Sequence, residues 1–285
     1  MSVESNDQPT VLTIAGFDPS GGAGIIADIR TIVHFGCHPT AAITSLTFQN
    51  SQGVFGAAHE TPEALRAQVV PIVKEFRVAA VKVGMLPTAE LARELAALIR
   101  EGTVPAPIVD PVMQSSSGRR LMEEDAFEVF VTELLPLSRL VTPNIPEAQR
   151  FAGQNILDEE DMRQAAARIR ELGAQAVLIK GGHLGETADV RERMSEVRGQ
   201  RSARGSSPTI REGVPEAIDV LDDQGHLETF RGEWIETQPV RGTGCMLSSA
   251  IAACLGKGMS LTESVSAAKS FVTAEIQNSK LKTQN

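Results

Sequence analysis

Short apolar runs alternate with longer stretches of helical spacing along most of the chain. Val11–Gly16, Thr40–Phe48, Ala79–Val83, Pro107–Asp110, Leu140–Asn144 and Ala176–Lys180 are compact and apolar, with turn or polar residues at their ends. They read as short buried strands. Between them, Ile25–Phe35 carries Ile25, Ile26, Ile29, Ile32 and Val33 at helical spacing, Pro62–Glu75 reads as an amphipathic helix, and Asp161–Leu172 reads as a helix. Thr88 is placed to cap a helix that runs to about Arg100, Glu147 opens another, and a last amphipathic helix spans Leu261 to about Ile276. Val240–Leu255 differs: after a glycine turn it is small and apolar almost all round, which predicts a fully buried helix. Ala217–Leu221 and Leu227–Arg231 flank Asp222–His226 as a hairpin, with a loop longer than the tightest two-residue form. Arg191–Val214 is rich in Arg, Ser, Gly and Glu and reads as a mobile surface insertion.

This alternation predicts an α/β fold with a mainly parallel sheet covered by helices on both faces. Such sheets bind ligands at the carboxyl ends of their strands. Polar and glycine residues gather there, at Gly16, Gln49, Gly84, Asp110, Asn144 and Lys180, and that collective placement says more than any one motif.

Arg241-Gly242-Thr243-Gly244-Cys245 is the strongest local signal. Glycines admit close backbone approach, and a helix start offers unpaired N–H groups and the positive end of a dipole. The stretch therefore reads either as an anion site for phosphate or as a tight turn before a core helix. A thiol at that position is expected to have a lowered pKa. Lys180 beside Gly181 and Gly182 is compatible with phosphate, although strand-end lysines are usually solvated. Asp110 is a candidate Mg²⁺-linked acid. Gln49 offers both a donor and an acceptor to an aromatic amine or ring nitrogen. Asp28, in the first helical turns, reads as a capping or solvated carboxylate. The five histidines lack metal-ligand spacing, so no zinc site is expected, and His183 reads as a loop residue rather than a base.

Composition narrows the partners. The 285 residues are 42% hydrophobic, as in a globular protein, and a net charge of −9 without a dense basic patch argues against nucleic acid. No run approaches the length of a membrane span, and Met1–Thr10 lacks the apolar core of a signal peptide. Three cysteines without metal-type pairing fit a reducing cytoplasm. The GGAG spacing departs from G-x-G-x-x-G, which weakens a Rossmann oxidoreductase reading.

The pieces LTIAGFDPSGGAGIIADIRT, TSLTFQNSQGV, KVGMLPT, IVDPVM, VTPNIPEA, VLIKGGH, DVL and GTGC, in this order over most of residues 11–275, resemble the hydroxymethylpyrimidine/phosphomethylpyrimidine kinases of thiamine biosynthesis. The resemblance implies a single ribokinase-like three-layer α/β/α domain over residues 1–285. It implies two ATP-dependent phosphorylations: of 4-amino-5-hydroxymethyl-2-methylpyrimidine, and then of its monophosphate. Carried over residue by residue, Gly16, Asp28, Gln49 and Met85 line the pyrimidine pocket. Lys180, Asn144 and Thr243 meet ATP phosphates, and Asp110 and Glu147 organise Mg²⁺ through water. Amides from Gly242 to Cys245 stabilise transferred charge. Cys245 takes the place where sugar kinases of this fold carry an aspartate base. A homodimer is also implied. The Gln49-Asn50 pair favours pyrimidine over pyridoxal, since pyridoxal-type kinases tend to be apolar there. The rivals are a pyridoxal or pyridoxine kinase and a non-catalytic pyrimidine-binding module. Four departures stand out. Arg241 replaces a usual histidine, the Gln114–Gly118 loop differs in wording, the Arg191–Val214 insertion is long, and no Gly-Pro-His-rich tail precedes Asn285.

Overall fold

The computed structural model describes residues 8–182, 216–235 and 240–283. The Arg191–Val214 insertion and His183 lie outside the described residues. Among the described residues, nine strands form one sheet: β1 (Thr10–Phe17), β2 (His38–Asn50), β3 (Gly53–His59), β4 (Val78–Val83), β5 (Ile108–Val109), β6 (Leu140–Val141), β7 (Ala176–Lys180), β8 (Glu216–Asp223) and β9 (His226–Glu233). Their spatial order is β3-β2-β1-β4-β5-β6-β7-β8-β9. β2, β1, β4, β5, β6 and β7 are mutually parallel, while β3 and β8 run antiparallel to their neighbours. β1 therefore has β2 on one side and β4 on the other, and the chain departs in opposite directions from this point.

Eight helices are described: α1 (Gly24–His34), α2 (Pro62–Glu75), α3 (Ala89–Arg100), α4 (Glu124–Val129), α5 (Ile145–Ala152), α6 (Glu159–Glu171), α7 (Thr243–Gly256) and α8 (Leu261–Thr283). One face of the sheet is covered by α2, α3 and α6 through Leu65, Val69, Leu91, Leu95, Met162 and Ile169. The other is covered by α1, α7 and α8 through Ile32, Leu247, Ile251, Leu261 and Val265. Three layers result, and they explain why the central strands lack polar alternation: both faces of each strand meet helices. α7 is buried from Leu247 to Cys254, as its all-round apolar sequence requires. The caps are local. Thr61 and Thr88 accept from Ala64 N and Leu91 N, and Asn144 and Glu147 form a reciprocal capping box at α5.

The structure departs from the sequence reading at four places. Gly53–His59 is a strand, a segment to which the sequence reading assigned no element; two glycines and two alanines hide it, and the Asn50–Gly53 pairing leaves a tight turn between. The β8–β9 loop is the tightest form, with only Gln224 and Gly225 between paired Asp223 and His226, both at positive φ (56° and 92°). α4, continued by π and 3-10 turns to Leu137, has no counterpart in the sequence reading. α8 continues to Thr283, beyond Ile276.

Candidate functional site

A cavity of about 440 Å³ opens at the carboxyl ends of the parallel strands. Its walls take Gly16 from β1, Gln49 from β2, Met85 after β4, Asp110 after β5, Asn144 after β6 and Lys180 from β7. Gly242 and the first residues of α7, Thr243–Cys245, close one side. Gly242 has φ +79°, and a Cβ there would stand 2.2 Å from the carbonyl oxygen of Gly22. Two glycine loops, one following β1 and one preceding α7, thus meet backbone to backbone. No side chain caps α7, so its first N–H groups remain for a ligand.

Beneath this turn lies an ion pair. Lys180 Nζ is 2.6 Å from Asp110 Oδ1, and a Cβ on Gly244 would be 3.2 Å from both Lys180 Nζ and Asp110 Oδ2. Gly244 therefore lets the α7 amides sit directly over the pair. Burial disfavours the Lys180 ammonium, but Asp110 and then Glu147 outweigh that and hold its pKa above the ordinary value. Glu147 accepts from Asn144 N at 2.9 Å and Met113 N at 3.4 Å, so its carboxylate is fixed by the cap of α5. Burial pushes its pKa up to about 7; Lys180 pulls it down, while Asp110 pushes it up.

Cys245 is corrected. Instead of falling at the helix start, its thiol pKa is pushed up to about 11, because desolvation exceeds the help of Lys82 and of the Gly24 N–H. Asp28 is also corrected, since it does not line the cavity. It is wholly buried behind the wall, 2.8 Å from Lys82 Nζ, and it accepts from Thr13 Oγ1 at 2.6 Å and Ser249 Oγ at 2.9 Å. Lys82 reaches the cavity in its place. Burial works against the Lys82 ammonium, but Asp28 holds it charged with a raised pKa. Sequence reading passed over Lys82. A lysine inside the apolar run AAVKV was the available signal, because a charge in a doubly covered strand needs a partner.

Elsewhere along the lining, a Cβ on Gly16 would come within 3.0 Å of Met85 Sδ, so the glycine leaves room for that side chain. Gln49 does not face the cavity with both ends of its amide free. Arg241 Nη2 donates to Gln49 Oε1 at 3.2 Å and approaches Asp18 Oδ2 at 3.4 Å, while Nη1 donates to Asn50 O at 2.6 Å. Asp18 is itself anchored by Ser20 N, Ser20 Oγ and Ala23 N. Arg241 thus bridges the β2–β3 hairpin and the loop after β1.

The phosphomethylpyrimidine kinase family model matches residues 18–285. The chain belongs to this family. It is 37% identical over 269 residues, 94% of each chain, to a hydroxymethylpyrimidine/phosphomethylpyrimidine kinase of Aquifex aeolicus. Among solved structures it is similar to the phosphomethylpyrimidine kinase of Clostridium difficile, with 32% identity, a TM-score of 0.75, and 94% and 100% of the two chains covered. It is equally similar in shape to an ADP complex of Bacillus subtilis pyridoxal kinase, with 31% identity, a TM-score of 0.76, and 94% and 91% covered. The fold is ribokinase-like, as the motifs implied. No helix among the described residues is long and apolar enough to cross a membrane.

Proposed function

We propose that this member of the family phosphorylates the hydroxymethyl group of 4-amino-5-hydroxymethyl-2-methylpyrimidine with ATP, and then phosphorylates the monophosphate to the diphosphate used in thiamine synthesis. One observation carries this: a single cavity is lined both by uncapped α7 residues over the Asp110–Lys180 pair and by Gln49, Met85 and Gly16. The first group suits phosphate and the second a flat polar ring. The ADP complex of the Bacillus subtilis relative supports a nucleotide as one of its ligands.

In this reading Met85 packs on the ring and Gln49 reads its edge. Asp28 acts through Lys82, whose charge it keeps in place. Lys180 exchanges its Asp110 partner for phosphate oxygens, with Asn144 and Thr243 beside them. The amides of Thr243, Gly244 and Cys245 meet charge that develops on the transferred group. Cys245 holds its proton at neutral pH, given a thiol pKa of about 11. A loose phosphoryl-transfer transition state asks for positioning more than for a strong base, so a protonated thiol is compatible with the reaction.

Asp110 and Glu147 fit Mg²⁺. Among the described residues no three acidic, histidine or cysteine side chains converge as a metal cage, and Mg²⁺ ordinarily combines one or two carboxylates with water and substrate phosphate. When bound, it would neutralise phosphate charge. The continuous sheet supports one kinase domain over the chain, and the three free thiols suit the cytoplasm. A homodimer would bury the exposed Leu46, Phe48 and Phe55 of the β2–β3 hairpin, and sedimentation at micromolar concentration tests it.

The test of function is mass spectrometry of products from ATP, Mg²⁺ and, separately, the pyrimidine, its monophosphate and pyridoxal. Pyrimidine mono- and diphosphate are expected. Pyridoxal phosphate alone would move the protein to the other kinase class, and binding of pyrimidine without turnover would make it a binding module.

A further inference from the structure

The Arg241 contacts determine what Gln49 can present to a ligand. Carboxamide oxygen and nitrogen are ordinarily hard to tell apart, but a guanidinium has only donors. The end of Gln49 that faces Arg241 Nη2 at 3.2 Å must therefore be the oxygen, Oε1. Arg241 is itself held. Its other nitrogen donates to Asn50 O at 2.6 Å and to Ser20 Oγ at 3.4 Å, and Asp18, 1% exposed, faces Nη2 at 3.4 Å. Rotation of the Gln49 amide would point its NH₂ group at a fixed cation. Among the described residues Gln49 Nε2 has no hydrogen-bond partner, and the residue lines the cavity.

We propose that Arg241 is a specificity-determining positioning residue that locks the Gln49 amide in one orientation, so that it reads only one order of donor and acceptor on a pyrimidine edge. This rests on the reading of Gln49 as the group that meets the substrate ring. An aminopyrimidine edge presents a ring-nitrogen acceptor beside an amine donor. Its oxo counterpart presents the reverse, a ring N–H beside a carbonyl. A free glutamine pairs with either by turning over, while a locked one accepts only the first when Nε2 faces the ring nitrogen. A neutral histidine at this position would not enforce the lock, because its ring carries both a donor and an acceptor nitrogen. Arginine, with donors alone, does.

The experiment compares affinities by titration calorimetry for the 4-aminopyrimidine substrate and its 4-oxo analogue, on the folded full-length protein. Wild type and Arg241→Lys, which also offers only donors, are expected to favour the amino compound by at least tenfold. Arg241→Met is expected to bring that ratio within about threefold of unity, chiefly by tighter binding of the oxo analogue. Gln49→Glu retains an acceptor for Arg241 but removes the Nε2 donors, and should lose at least tenfold in affinity for the amino compound. Circular dichroism establishes that each variant is folded. If Arg241→Met weakens both ligands equally and keeps the ratio, Arg241 is only a tether and the proposal is overturned. It is also overturned if Gln49→Glu binds as wild type does, although the kinase reading survives in that case. Failure of wild type to bind or phosphorylate either pyrimidine would instead overturn the kinase reading itself.

Discussion

Glu147→Gln separates the electrostatic cost of this carboxylate from its use. Its pKa stands at about 7 in the folded protein against an ordinary 4.5, with burial as the largest cause. Below pH 4.5 both folded and unfolded chains hold the proton, and the group imposes no penalty. As pH rises from 4.5 towards 7, the unfolded chain releases its proton while the folded chain resists. Stability is then lost at about 1.4 kcal/mol per unit, reaching about 3 kcal/mol by pH 7 and remaining there above it. Glutamine resembles the protonated acid in shape and keeps an acceptor for Asn144 N, but has no charge to desolvate. The variant should therefore match wild type near pH 4.5 and exceed it by about 3 kcal/mol at pH 8, a rise of roughly 6 °C in Tm for a chain of this size. Urea titrations at half-unit steps between pH 4.5 and 8, without nucleotide or metal, measure this gap directly. Two results would refute the reasoning: a gap that does not change with pH, or one that opens as pH falls. In the reading that Asp110 and Glu147 hold Mg²⁺, the same variant should also lose Mg²⁺-dependent turnover, by about 100-fold, since one of the two carboxylates is removed.

Other perturbations test separate parts of the site. Asp28→Asn leaves the Lys82 ammonium buried beside a neutral group and should cost about 3–5 kcal/mol, most of which Lys82→Met in the same chain restores; full stability of the single variant by urea unfolding would contradict the buried pair. Gln49→Met should raise the pyrimidine KM by roughly 5- to 150-fold, about 1–3 kcal/mol, and leave the ATP KM in place; an unchanged pyrimidine KM would remove Gln49 from the pocket. Cys245, at a pKa of about 11 rather than 9, should react with iodoacetamide at pH 8 about 100-fold more slowly than an unperturbed thiol. Peptide mass spectrometry follows this reaction, and fast labelling would mean that the thiol is activated after all.

Much of the frame was legible because each central strand is a compact apolar run, and each main helix carries its cap or stripe in its own few residues. Thr88 and the Asn144–Glu147 pair are local signals, and local signals can be read. Gly53–His59 was not readable, because its strand character comes from pairing with β2 rather than from β-branched residues. The site was legible as positions but not as relations. Asp28 looked like an ordinary helix-start carboxylate until Lys82, 54 residues away, was found against it. The expected thiol activation at Cys245 used the helix dipole and omitted the desolvating walls, which come from distant segments. Arg241 was visible as a departure, yet its grip on Gln49 depends on how two loops approach.

The buried contact between Asp28 and Ser249 joins residues 221 positions apart. A ribosome adding about 5–20 residues per second needs roughly 10–45 s to travel that distance. During that interval the loop after β1 has no α7 turn to rest against, and Asp28 and Lys82 lack the serine that completes their shell. A nascent chain that ends before Thr243 therefore lacks the helix start that closes one side of the cavity. In the proposed reading, competence for phosphoryl transfer therefore waits for the docking of α7, late in synthesis.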